Sequence, residues 1–257
     1  MAGALSIAFW FQAVGLTVGL TRSVAFVCGP TIAYTLDKIA DNEEDANGAG
    51  YDRGAFSRNK RGALALCAVA AVVFAACGCR YPDLFVSSAL ASALAIFYVR
   101  PLPKMRGRRI KNLFPLAKMF FVAVMWVGWG ILAHDTRPST QLQRNAILLL
   151  SLVIMCKVSF FDIKDIAADQ RAGIVTFATL FGERTTMCVV RAAYAFVGVT
   201  GLCLLPDVRD GIVICAWMIF AQHVLGRVPR HVVLDGAAAF DLQIVDLMAP
   251  WMLRRML

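Results

Sequence analysis

Residues 144–182 read RNAILLLSLVIMCKVSFFDIKDIAADQRAGIVTFATLFG, an apolar run that ends in three aspartates, Asp162, Asp165 and Asp169. Residues three or four apart share one face of a helix, so these acids form a stripe. Ile163, Ile166, Ala167 and Ala168 alternate with them, as at the end of an amphipathic helix. A second stripe, Asp37, Asp41 and Asp45, closes another apolar run near the start and is extended by Glu43 and Glu44. Like charges at this spacing destabilise a helix, and carboxylates beside hydrocarbon cost more still. A bound cation offsets both penalties.

The rest of the chain reads as membrane. Its 257 residues are 59% hydrophobic and 17% charged, with a mean hydropathy of +0.66. Soluble domains are about 45–50% apolar and about 25% charged. Apolar runs matched to the roughly 17–25 residues that cross a bilayer fall at 4–21, 22–40, 61–79, 82–99, 113–133, 144–161, 186–205, 210–226 and 233–253. The expectation is an all-α, polytopic membrane protein of about nine transmembrane helices. A secretory leader over residues 1–28 is disfavoured, because the segment has no basic start and runs into the first acidic stripe. No linker or appended soluble domain interrupts the chain, so 1–257 reads as one domain. Three polar intervals, 41–60, 100–112 and 162–185, stand out as cytoplasmic caps.

A net charge of +9 would suggest nucleic acid in a soluble protein; here its placement gives it another meaning. With the acidic stripes facing the cytoplasm, seventeen lysines and arginines fall in cytoplasmic loops and five in the opposite ones. The positive-inside rule therefore assigns both stripes to the cytoplasmic side, and no nucleic-acid partner is implied. The eight cysteines lie mostly within apolar runs without a CxxC pair, which indicates neither a disulfide framework nor a zinc site. His134, His223 and His231 are scattered away from the acids. No glycine-rich phosphate loop, GxSxG or HExxH is present.

Hard divalent cations such as Mg2+ take oxygen ligands, retain several waters and are shared with substrate phosphates. Six carboxylates in two stripes suit such an ion, and a diphosphate held between them becomes a good leaving group. The interval 100–112, RPLPKMRGRRIKN, adds six cations where a short lid would close over phosphate. Taken alone, that basic run also suits topology or anionic headgroups. Aromatic faces stabilise cations, and Phe97, Tyr98, Phe120, Phe121, Trp126, Phe160 and Phe161 lie near the proposed site.

The stretch DIKDIAADQRAGIVT (162–176) followed by LFG (180–182) closely resembles the second signature of the UbiA superfamily of intramembrane prenyltransferases, DxxxD then a Gly-Ile-x-Thr turn and a Phe-Gly. YTLDKIADNEED (34–45) resembles the first signature, NxxxDxxxD, and YVRPLPK (98–104) resembles the Tyr-Ser-Pro-Pro-Leu-Lys element after the fourth helix. The resemblance implies a bundle around a central cavity, with Mg2+ bridging the Asp motifs to a polyprenyl diphosphate and the prenyl group passing to an aromatic or other lipophilic acceptor. It carries Asp41, Asp45, Asp165 and Asp169 onto the catalytic metal-binding carboxylates, with Asp37 and Asp162 as further acids of the metal site. Lys104 and Arg106 would contact diphosphate, and Tyr98, Arg53 and Lys111 complete the expected substrate-binding set. Two departures stand out: Asp37 replaces the usual Asn, and DRGAF (52–56) replaces the Arg-Pro continuation of the first motif. A terpene cyclase on the same scaffold and a divalent-cation transporter are the alternatives. Carboxylates at helix ends rather than at the midplane favour the enzyme over the transporter.

Overall fold

The computed structural model describes residues 2–40, 59–99, 116–171, 173–205 and 207–225, with the backbone alone at several positions inside the helices. Eight helices occupy these residues: α1 Ala2–Ala13, α2 Leu20–Ala40, α3 Lys60–Arg80, α4 Asp83–Val99, α5 Ala117–His134, α6 Gln141–Arg171, α7 Phe177–Leu204 and α8 Val208–Leu225. The all-helical expectation holds. The expected ninth span, 233–253, lies outside the described residues.

Lys60–Arg80, Ala117–His134, Gln141–Ile163 and Phe177–Leu204 are long and apolar enough to cross a membrane. Their surfaces bear this out, with Val69, Val72, Val124 and Phe196 all more than 60% exposed. Large apolar side chains bared in this number suit contact with lipid tails, which are as apolar as they are. The helices are stabilised against one another instead by close packing and hydrogen bonds.

α6 lies at the centre: 61% of its apolar window is buried, against 28%, 33% and 28% for the other three long spans. Ala146, Leu149, Leu150, Val153, Cys156, Phe160 and Ile163 recur at helical spacing and form its buried stripe. α5 packs on one flank and α7 on the other. α7 and α8 approach through glycine, since a Cβ added at Gly198 would lie 3.2 Å from the Cα of Cys215, and one at Gly211 would lie 2.9 Å from the Cα of Leu202. Backbones that close use small residues as membrane helices commonly do.

Successive helices run antiparallel, so α2, α4, α6 and α8 start at one end of the bundle: Arg22 near the start of α2 meets Asp83 at the start of α4 and Ala133 at the end of α5, and Asn145 near the start of α6 meets Leu204 at the end of α7. The end at which α6 begins is pinned by polar side chains. Arg22 donates to Asp83 at 2.6 and 3.2 Å and to the carbonyl of Ala133 at 3.0 Å, with its guanidinium over the Tyr81 ring. Gln143 donates to the Gly15 carbonyl at 3.2 Å, Asn145 to that of Leu204, and the Trp10 indole to that of Ala146 at 3.1 Å. The end at which α6 finishes carries the aspartates.

Three spans differ clearly from their expected limits, and α7 begins at Phe177, nine residues before the expected 186. α1 stops at Ala13 rather than continuing through 4–21, because Gly15 takes φ 78° and closes the helix with Gly15 N–H bonded to Gln12 and Leu16 N–H to Phe11. That pair of bonds is a Schellman cap. α6 continues about ten residues past the expected end at 161, so the acids ride on the same helix that crosses the core. All eight cysteines are free thiols.

Candidate functional site

The last three turns of α6 carry the second acidic stripe into a buried position. Asp162 is 2% exposed and Asp169 7% exposed, while Asp165, on the same face, is half-buried. Carboxylates so far from water need a cation. Lys118, in the first turn of α5, supplies one: its Nζ lies 2.5 Å from Asp162 Oδ1 and 3.9 Å from Asp169 Oδ2. Nearby, Ser159 Oγ donates to Met119 Sδ at 3.0 Å, which ties α5 to α6 one turn below the acids. Lys157, placed by sequence among cytoplasmic cations, is buried within the bundle.

The residues after the stripe explain their own identities. Gly173 takes φ 65°; its N–H donates to the Gln170 backbone carbonyl, and the Ile174 N–H donates to the Asp169 backbone carbonyl at 2.8 Å. This Schellman cap ends α6 at Arg171, two residues past Asp169, and fixes the last acidic turn. Thr176, fully buried, caps α7 by accepting from the Thr179 N–H, and the Thr179 hydroxyl accepts from the Thr176 N–H. Gly182 then breaks the helix at φ 76°, ψ 172°, a conformation essentially restricted to glycine. The buried Thr186 hydroxyl donates to the Gly182 carbonyl at 2.8 Å and satisfies it. The interval 162–185 is thus helix, tight turn and capped helix, each defined by one residue of the Gly-Ile-x-Thr and Phe-Gly pattern.

The other expected site residues fall at the same end of the bundle where the structure describes them. Asp37 is in the last turn of α2 and Tyr98 in the last turn of α4, both described by backbone alone. Asp41, Asp45, Arg53, Lys104, Arg106 and Lys111 lie outside the described residues, with most of the intervals 41–60 and 100–112. Among the described residues no three acidic, His or Cys side chains gather closely enough to hold a metal ion. Asp162 and Asp169 nonetheless share one cation, and their hard oxygen donors are the kind Mg2+ takes. The two buried α6 carboxylates offer part of the oxygen donor set that a hard divalent ion takes.

No protein-family model matches this chain, and no curated protein matches it. Solved structures do. The apo structure of a UbiA homologue from Aeropyrum pernix K1 aligns at a TM-score of 0.63 and 17% identity, over 100% of this chain and 98% of that one. A UbiA homologue from Archaeoglobus fulgidus bound to GPP and Mg2+ aligns at 0.59 and 14% identity, over 97% of this chain and 96% of the other. The same homologue bound to DMAPP and Mg2+ aligns at 0.59 and 14%, over 98% and 96%. The chain has the UbiA fold.

In this UbiA-type bundle Lys118 is the site residue that sequence reasoning passed over. A lone lysine inside the apolar run 113–133 was itself a signal, since ionisable residues in membrane helices mark functional positions. The aromatic residues expected near the site are divided. Phe160 is buried edge-on to Phe161, Trp126 packs against Phe26, and Phe120 is exposed.

Proposed function

We propose that this protein is an intramembrane prenyltransferase of the UbiA superfamily, moving a prenyl group from a polyprenyl diphosphate to an aromatic or other lipophilic acceptor. The observation that carries the reading is the buried acidic end of α6, where Asp162 and Asp169 face the Lys118 ammonium, in a fold whose A. fulgidus homologue was solved with GPP or DMAPP and Mg2+.

Asp165 and Asp169 on α6, with Asp37, Asp41 and Asp45 at and beyond the end of α2, would hold Mg2+. The ion, when bound, neutralises charge developing on the departing diphosphate. By the family resemblance, Lys104, Arg106, Arg53 and Lys111 would bind the phosphate oxygens and Tyr98 would take part in donor binding. The rings of Phe160 and Phe161 keep water from the reacting carbon. The acceptor enters from the bilayer and loses a proton as the new bond forms. The positive-inside balance puts this end of the bundle in the cytoplasm.

Purified protein in nanodiscs, given Mg2+ and dimethylallyl, geranyl, farnesyl or geranylgeranyl diphosphate, should bind at least one donor and release pyrophosphate. Asp41→Ala and Asp165→Ala should each lower release about 100-fold or more, at or beyond the largest cost of losing a group that only supports a metal ligand. Absence of binding and release with every donor, or variants indistinguishable from the parent, overturns the proposal.

A further inference from the structure

The carboxylates of the α6 stripe are already paired with a cation built into the chain. Lys118 Nζ sits at ion-pair distance from Asp162, whose side chain is 2% exposed, and leans toward Asp169, whose side chain is 10% exposed. Its own side chain is 22% exposed, so water screens it only in part. A divalent ion ligated by Asp169 would sit about 2.1 Å from a carboxylate oxygen. The nearer Asp169 oxygen is 3.9 Å from the ammonium, which places the two positive charges a few ångströms apart across low-dielectric protein.

Resting on the metal-holding reading above, we infer that Lys118 is a resident competitor for Asp169, anchored by Asp162, that keeps a bare divalent ion off α6 until a diphosphate arrives to absorb the excess positive charge. Asp162 then acts through Lys118 and does not itself ligate the metal. The arrangement couples metal loading to donor loading. It also answers the electrostatic problem of the stripe in the empty enzyme, where three acids on one face would otherwise repel one another. Lys118 and Asp162 are positioning residues in this scheme, and Asp169 is the ligand they control.

The two members of one ion pair are expected to act in opposite directions, which a purely structural pair would not do. Mn2+ binding to the full-length protein in nanodiscs is read by electron paramagnetic resonance, with and without geranyl thiolodiphosphate as an inert donor. Without the donor, Lys118→Met should tighten Mn2+ about tenfold or more, while Asp162→Asn, which frees the ammonium to settle on Asp169, should weaken it. In the Lys118→Met background, adding Asp162→Asn should change affinity less than about threefold. With the donor present, Lys118→Met should show a smaller rise in Mn2+ affinity than the parent does. If Asp162→Asn weakens binding tenfold or more in the Lys118→Met background, Asp162 is a direct ligand and the inference fails. It fails too if Lys118→Met leaves donor-free affinity unchanged while the parent binds Mn2+ with donor and Asp169→Asn does not; the metal-holding reading survives both results. If the parent takes up no Mn2+ even with the donor, the metal-holding reading falls and the competitor role falls with it. Should Lys118→Met not fold, Lys118→Gln paired with Asp162→Asn supplies the charge-neutral background for the same comparison.

Discussion

Gly182 offers the cleanest test of how the sequence shapes the acidic end. It interrupts α7 at φ 76°, ψ 172°, where any side chain strains the backbone. A Cβ added there meets nothing within 4 Å, so Gly182→Ala isolates backbone strain from crowding. Such positions cost about 1–3 kcal/mol. A mid-range loss of about 2 kcal/mol reduces the folded-to-unfolded ratio about 30-fold and lowers Tm by about 4–8 °C for a chain of this size. Gly173 is the internal comparison. Its φ of 65° lies in the left-handed region, which asparagine also visits, so Gly173→Asn should lower Tm less than half as far as Gly182→Ala. The buried thiols of Cys28, Cys67, Cys77 and Cys156 provide the readout, because a thiol-reactive dye reports their exposure on heating in detergent. A Gly182→Ala melt within about 1 °C of the parent, or a larger loss from Gly173→Asn, would refute this account of the Phe-Gly position.

Gly211→Ala places its Cβ 2.9 Å from the Cα of Leu202 and should destabilise the α7–α8 contact by about 1–3 kcal/mol; Gly128→Ala, with nothing within 4 Å, should melt like the parent. Asp162→Asn leaves the partly buried Lys118 without its nearest carboxylate and should cost about 3 kcal/mol, the lower end for a broken buried pair. Asp165→Asn should remove pyrophosphate release, read in the same donor assay as the parent. Arg22→Gln removes the Asp83 pair and the bond to the Ala133 carbonyl; with Asp83 48% exposed, the expected loss is about 1–2 kcal/mol, part of which disappears for both proteins in high salt.

Much of the fold was legible because lipid imposes a simple requirement: every backbone group must be satisfied within its own segment. Apolar length alone therefore marked the helices, and a period of 3.6 residues put Asp162, Asp165 and Asp169 on one face. Boundaries were harder to read. The apolar count over 4–21 is satisfied by residues that turn back at Gly15, because a Schellman cap is decided by backbone angle and not by hydropathy. α6 likewise ran past its apolar stretch, since a helix continues through acids when a neighbouring helix neutralises them. Hydropathy placed Lys118 inside a span and stopped there.

By itself, the sequence determined that this chain is a bundle of membrane helices with an acidic stripe at the end of α6, because composition and periodicity are properties of each segment alone. Only the tertiary structure decided which cation answers which acid. Lys118 and Asp162 are 44 residues apart on antiparallel helices. Their pairing depends on the rotation and register of α5 against α6, set by packing across the whole interface. The acidic stripe that began as an unbalanced charge is, in the folded chain, already occupied by a lysine.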